Sequence, residues 1–197
     1  SLRWFTPEHE MDLCGHATLA SAHVLKTILN YPNNKIIFNS KSGPLEVTIV
    51  DEQYTLNFPS RKPEPAALPE IISKSLKKQP KEVLKSRDYV LVYDSEQDIR
   101  GLVPDREVLN KINLEPGGII VTAKGDKVDF VSRFFVPQAS IFEDPVTGSA
   151  HCSLIPYWAE KLGKTEMSAL QLSDRIGKLQ CVNADDRVLI SGTAKTY

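Results

Sequence analysis

Arg3-Trp4-Phe5-Thr6-Pro7 returns as Arg133-Phe134-Phe135-Val136-Pro137, a shift of 130 positions. Past each proline, a short polar stretch leads to a glycine at a helix start. The first start is Cys14-Gly15-His16-Ala17-Thr18 and the second Thr147-Gly148-Ser149-Ala150-His151, shifted by 133. Ser42-Gly43-Pro44-Leu45-Glu46-Val47 then answers Ile176-Gly177-Lys178-Leu179-Gln180-Cys181 at a shift of 134, and Asp51–Leu56 answers Asp185–Ile190 at the same shift. Blocks that recur in one order with so little drift indicate a duplicated unit, and the period is too long for a solenoid.

Each unit reads strand, loop, helix, strand, turn, strand. The aromatic and β-branched runs 2–6 and 128–136 are strands closed by proline. Residues 15–30 and 148–163 carry helical spacing, the first stopped by Tyr31-Pro32-Asn33-Asn34 and the second by Gly163. Pro156 is expected to kink the second helix or loosen one turn. Residues 35–39 and 47–50 flank the Lys41-Ser42-Gly43 turn, and 169–172 and 179–182 flank Gly177. The proline-rich run Phe58–Pro65 favours an extended crossing between the units. Residues 68–80, 87–94, 104–112 and 117–123 read helix, strand, helix, strand. The domain division is therefore 1–58 as part of a first lobe, 59–67 as linker and 68–197 as a second lobe. About seventy residues of lobe two precede its Arg-Phe-Phe-Val-Pro strand, and almost none precede the counterpart in lobe one. The expectation is an incomplete first lobe in a fragment of a longer protein.

Composition sets the outer limits. The chain has 197 residues, 41% hydrophobic and 25% charged, and a formal net charge of -1. That is a globular balance, without the basic surface of a nucleic-acid or anionic-membrane binder. No apolar run has the length of a membrane-spanning helix. The three scattered cysteines Cys14, Cys152 and Cys181 favour a reducing compartment over a disulfide framework, and so a cytoplasmic protein.

The paired helix starts carry the chemistry. A helix N-terminus offers unpaired N–H groups and positive partial charge, which suits a carboxylate or phosphate. If a pseudo-twofold relates the lobes, the two starts can face each other and stabilise charge building beside a carbonyl. Taken singly, Gly15 and Gly148 read equally well as close-packing glycines. His16 lies in a first helical turn, where the dipole disfavours imidazolium and a neutral histidine is expected. Asp144 reads either as a cap-region carboxylate of the second helix or as a charged partner for His16. A two-thiol racemase would need a thiol on each substrate face, and Cys14 is answered by Thr147. Cys14, His16, His151 and Cys152 have spacings that match no familiar zinc site, so no metal is expected. His9 and His23 read as loop and helix-surface residues.

These motifs together resemble the PhzF-like (phenazine biosynthesis-like) family over nearly the whole chain. The resemblance implies an α+β fold like that of diaminopimelate epimerase: a pseudo-twofold pair of lobes, each a mixed or antiparallel sheet curled around a central helix. It implies cofactor-independent isomerase or epimerase chemistry, in which a proton moves on a small carboxylated substrate held between the lobes. His16 and Asp144 match the polar residues flanking the proton transfer. Gly15, Gly148 and Ser149 match the substrate-binding helix starts, and Cys14 and Thr147 stand near the two cysteine positions of the epimerase. The family's catalytic glutamate belongs to an Asn-Leu-Ser-Glu-Thr-like segment ahead of Arg3, which the 197 residues do not contain, so this piece is expected to be inactive alone. Related proteins are often dimers, which makes a homodimer the expected partner. A non-catalytic binding or scaffold protein of the same fold is the alternative.

Overall fold

Gln53–Pro59 and Arg187–Thr193 lie side by side as antiparallel strands, and their register reveals the symmetry of the whole molecule. Leu56 pairs with Ile190, its own counterpart in the repeat, and Gln53↔Thr193 is matched by Arg187↔Pro59. A local twofold therefore passes through the Leu56–Ile190 pair. This is a computed structural model, and it describes residues 1–5, 10–114 and 117–196.

The elements, in chain order, are β1 (Trp4–Phe5), β2 (Glu10–Met11), α1 (Gly15–Thr27), β3 (Lys35–Ser40), β4 (Gly43–Val50), β5 (Gln53–Pro59), β6 (Glu64–Pro65), α2 (Glu70–Lys74), β7 (Glu82–Lys85), β8 (Tyr89–Val92), α3 (Glu96–Gly101), α4 (Arg106–Leu109), β9 (Ile119–Lys124), β10 (Phe130–Phe135), α5 (Gly148–Leu162), β11 (Glu166–Gln171), β12 (Gly177–Ala184) and β13 (Arg187–Thr193). Among the described residues one continuous sheet runs β3-β4-β5-β13-β12-β11-β10-β9-β8-β7-β6, and β1 and β2 form a separate hairpin. The mixed α+β architecture agrees with the fold that the family resemblance implies.

Both lobes wrap sheet around a helix, but to different depths. In lobe two, α5 is buried continuously from Gly148 to Ala159. Strand β9 alternates nothing: Ile119 to Ala123 are all buried, because α5 lies on one face and α2–α4 on the other. In lobe one, β4 and β5 alternate buried and partly exposed positions, as a one-sided antiparallel sheet does. Only Gly15, Thr18 and Ala22 of α1 are buried, and Val24, Ile28 and Leu29 are exposed.

The repeat extends to side chains. Arg3 grips Glu10 with Nε–Oε1 and Nη2–Oε2 both at 2.9 Å, and Arg133 grips Glu143 through the same atom pairs at 2.8 Å. Each guanidinium lies over the phenyl ring two residues on, Arg3 at 4.8 Å from the Phe5 centroid and Arg133 at 4.9 Å from Phe135. The turns Asp51-Glu52 and Asp185-Asp186 repeat as well, with φ of +46° at Asp51 and +57° at Asp185.

Several sequence expectations change. The second helix continues on both sides of Pro156. The carbonyl that the proline leaves without an intrahelical donor is that of Cys152, and it accepts the backbone N–H of Arg61 at 2.9 Å. The crossing segment is thus stitched down, and it contributes β6 to the sheet edge. Helix 68–80 contracts to α2, and 104–112 to α4. Between them stand β7, which hairpins onto β8, and α3, closed by a Ser95–Asp98 capping box. His23 is no idle surface residue: its Nδ1 lies 2.9 Å from the Tyr54 hydroxyl and its Nε2 2.9 Å from Thr196 Oγ1. His9, and the Thr6-Pro7 end of the first motif, lie outside the described residues.

Candidate active site

The two helix starts meet on the local twofold. A Cβ on Gly15 would lie 2.8 Å from the Cα of Gly148, and a Cβ on Gly148 would lie 2.9 Å from the Cα of Gly15. Phe58 packs beneath both glycines, 3.5 Å from each of those positions. Only glycine permits this approach of backbone to backbone. It makes the two starts neighbours, closer than starts that face each other across open space.

Neither start is capped from within. Cys14 and Thr147 occupy the cap positions in extended conformation, neither side chain bonds a helical N–H, and no acidic residue lies in either first turn. Thr147 belongs to a residue type that ordinarily caps, yet its hydroxyl donates to Asp144 Oδ2 at 2.5 Å. Two sets of first-turn N–H groups are thereby left for a guest.

A cavity of about 740 Å³ opens over them. Cys14, Gly15, His16, Asp144, Thr147, Gly148 and Ser149 all reach its wall, so every sequence-derived candidate falls in one place. The rest of the wall is largely apolar, with Trp4, Leu13 and Phe134 among its members. Among the described residues, no three His, Cys, Asp or Glu side chains gather in a way that would hold a metal ion.

His16 crosses the twofold. Its Nδ1 donates to the carbonyl of Val146 at 3.2 Å, and Cys14 Sγ lies 3.6 Å from Nε2. The helix dipole argues for a neutral imidazole, but the surroundings of His16 favour the charged form. Hydrogen bonding to Cys14 pushes the group up to about 9, against the effect of burial, and the charge of Asp144 and the Val146 carbonyl add to the rise. Cys14 holds the cap position of the same helix, while Asp144 and the Val146 carbonyl come from the loop ahead of α5, and together they oppose the helix dipole. Asp144 is also raised from the ordinary carboxylate range. Burial is the cause, opposed by the Thr147 hydroxyl and by His16.

Two supports were not visible as candidates in the sequence. Gln171, fully buried at the end of β11, accepts the Thr147 N–H at 2.7 Å and donates to the Asp144 carbonyl at 2.7 Å and to Thr147 Oγ1 at 3.1 Å. Ser173 donates to the Pro145 carbonyl at 2.8 Å, so the end of β11 clamps the whole Asp144–Thr147 loop. On the other side, Asp12 holds the approach to Cys14. It takes Arg87 Nη2 at 2.6 Å and Arg61 Nη2 at 3.3 Å, and Arg87 also pairs with buried Asp88. A polar residue ending an apolar alternating strand is the one sequence signal that marks Gln171.

His151 and Cys152, one turn into α5, point away from the cavity and into the core. His151 is the counterpart of Thr18. Its Nδ1 donates to the Thr147 carbonyl at 2.8 Å, as Thr18 Oγ1 donates to the Cys14 carbonyl at 2.6 Å. Complete burial pushes His151 down to about 4.

Two lobes related by a local twofold, with a central helix start from each meeting under one cavity, define the class of epimerase-like folds. A hydroxyproline epimerase from Agrobacterium vitis shares that fold with a TM-score of 0.59 at 10% identity, over 99% of this chain and 67% of the other. The chain belongs to the phenazine biosynthesis-like family, whose model matches residues 1–197. A PhzF-family protein of Enterococcus faecalis superposes with a TM-score of 0.90 at 47% identity, covering 98% of this chain and 74% of that one. A Pseudomonas aeruginosa protein named as an uncharacterized isomerase is 47% identical over 196 residues, which is all of this chain and 75% of the relative.

Proposed function

We propose that the cavity belongs to a cofactor-independent isomerase that moves a proton between positions of a small carboxylated substrate. The observation that carries this reading is the pair of uncapped helix starts in contact on the twofold, with His16 and Asp144 beside them. The substrate carboxylate sits on the first-turn N–H groups of both helices, including those of Gly15, Gly148 and Ser149. When a C–H bond beside the carboxylate breaks, its electron pair moves onto the carboxylate oxygens, where the N–H groups and a His16 imidazolium stabilise it. The proton passes to a base and a new C–H bond takes one from an acid, Asp144 serving as the carboxyl that holds it. Cys14 and Thr147 complete the wall on either side. The family resemblance assigns the principal base to a glutamate of an Asn-Leu-Ser-Glu-Thr-like segment, so activity is measured on a protein that carries such a segment.

The test is exchange of substrate hydrogen for deuterium in deuterated water, read by proton NMR across dihydroaromatic and amino-acid-like carboxylates. Exchange that is lost in both His16→Ala and Asp144→Ala is expected. Ligand binding that survives both substitutions, with no exchange on any member of the series, would replace this reading with that of a binding protein.

A further inference from the structure

We propose that Gln171 is a positioning residue which, acting through the Thr147 hydroxyl, commits any proton carried by Asp144 to its Oδ1 atom. The inference rests on the reading of Asp144 as a proton-handling group, and it adds which oxygen does the handling and what decides it.

The argument is one of donors and acceptors. The orientation of the Gln171 amide is fixed at both ends. Its oxygen faces the Thr147 N–H, which can only donate, and its nitrogen faces the Asp144 carbonyl, which can only accept. The same NH2 lies 3.1 Å from Thr147 Oγ1, so that contact is a donation to the hydroxyl. A threonine hydroxyl has a single hydrogen. With a donor already pointing at its oxygen, that hydrogen is directed to Asp144 Oδ2 at 2.5 Å. A proton on Oδ2 would turn the hydroxyl hydrogen away from its only acceptor among the described residues, so Oδ2 is kept as the accepting oxygen. A proton on Asp144 is thereby directed to Oδ1, which has no hydrogen-bond partner among the described residues. Gln171 has no exposed surface and Thr147 almost none, so water does not compete for the bond between them. Among the described residues, the charged group acting on Asp144 from a neighbouring element is His16, on α1.

The relay is tested without any substrate, by carbon-13 NMR titration of the Asp144 carboxyl, assigned by its loss in Asp144→Asn. Removing a donor from a carboxylate raises its titration midpoint. Thr147→Val is expected to shift the Asp144 midpoint upward by about one pH unit, and Thr147→Ser to leave it in place. Gln171→Met is expected to shift it in the same direction, and the double variant to shift it no further than Thr147→Val alone, because the two act in series. Shifts that add in full, or an Asp144 midpoint unmoved by Gln171→Met, overturn the relay. In the unmodified protein the Thr147 hydroxyl proton is expected to exchange slowly and to couple to the Asp144 carboxyl carbon. Fast exchange with no such coupling overturns the relay even if Gln171 variants do not fold. Deuterium exchange into substrate is read separately. The expected titrations with no exchange on any carboxylate overturn the isomerase reading alone, and unmoved titrations with exchange intact overturn the relay alone.

Discussion

Arg3–Glu10 and Arg133–Glu143 are one device built twice, with the same atom pairs and the same ring beneath the guanidinium, but their surroundings differ. The Arg3 side chain is 60% exposed, and its carboxylate partner is shared with Lys41 at 2.7 Å. The Arg133 side chain is 14% exposed, and its Nη1 also donates to the carbonyls of Ile99 and Leu102, at 3.1 and 2.6 Å, which end α3. The first pair tightens a hairpin. The second holds a helical layer against the outer face of the sheet. Local sequence determines the fork, and the cover around it determines what the fork is worth.

The largest effect expected from breaking this parallel is at the covered copy. Arg133→Ala strands a half-buried carboxylate and two carbonyls, and urea denaturation should show a loss of about 4 kcal/mol. Arg3→Ala should leave the midpoint nearly unchanged. Equal losses would mean that cover does not set the value of the pair. Gly15→Ala and Gly148→Ala probe the point where the two halves are alike. Each places a methyl against the opposite backbone, so each should cost about 3 kcal/mol and abolish deuterium exchange. A large loss from only one of them would deny the local twofold.

His151 and Thr18 sharpen the contrast through pH. With His151 held down to about 4, the unfolded chain binds its proton first as pH falls from about 6.5. Stability from this group is therefore complete above that range and declines toward pH 4, by up to about 3 kcal/mol. His151→Thr, which installs the lobe-one residue, should flatten the acid limb of a stability-versus-pH curve. His16 runs the other way. Its stabilisation is complete below the unfolded value near 6.5 and disappears as pH rises through about 9, so His16→Gln should flatten the alkaline limb. The smallest effect is expected on the open face of α1. Val24→Lys and Leu29→Lys should barely move stability but lower self-association in sedimentation measurements, whereas Trp158→Ala in α5 should destabilise strongly.

What the sequence made legible follows the same division. The duplication and both glycine-led starts were readable because repeated spacing carries them, and the family resemblance added Cys14, His16, Asp144, Thr147 and Ser149 as residues of one site. The helical layer of lobe two was read poorly: α2, α3 and α4 are short, so no periodic run defines their ends. The Arg61 N–H that satisfies the Cys152 carbonyl, and the Asp144 charge that favours a charged His16, act from distant positions and leave no mark in the local sequence. Gln171 escaped notice because its three bonds all go to a loop 24 to 27 positions away.

The β5–β13 joint has a consequence for how the two halves diverged. A pairing in which Leu56 meets its own counterpart Ile190, and every other pair recurs with its members exchanged, is the geometry of an isologous contact between identical subunits. Two separate copies would be bound to carry the same residue at each pair of matched positions. Joined in one polypeptide, they are released from that identity. Gly15 and Gly148 have stayed alike where backbone meets backbone, while Cys14 stands opposite Thr147 and Thr18 opposite His151. A symmetric frame with unlike residues at matched positions presents two chemically distinct sides to whatever lies between them.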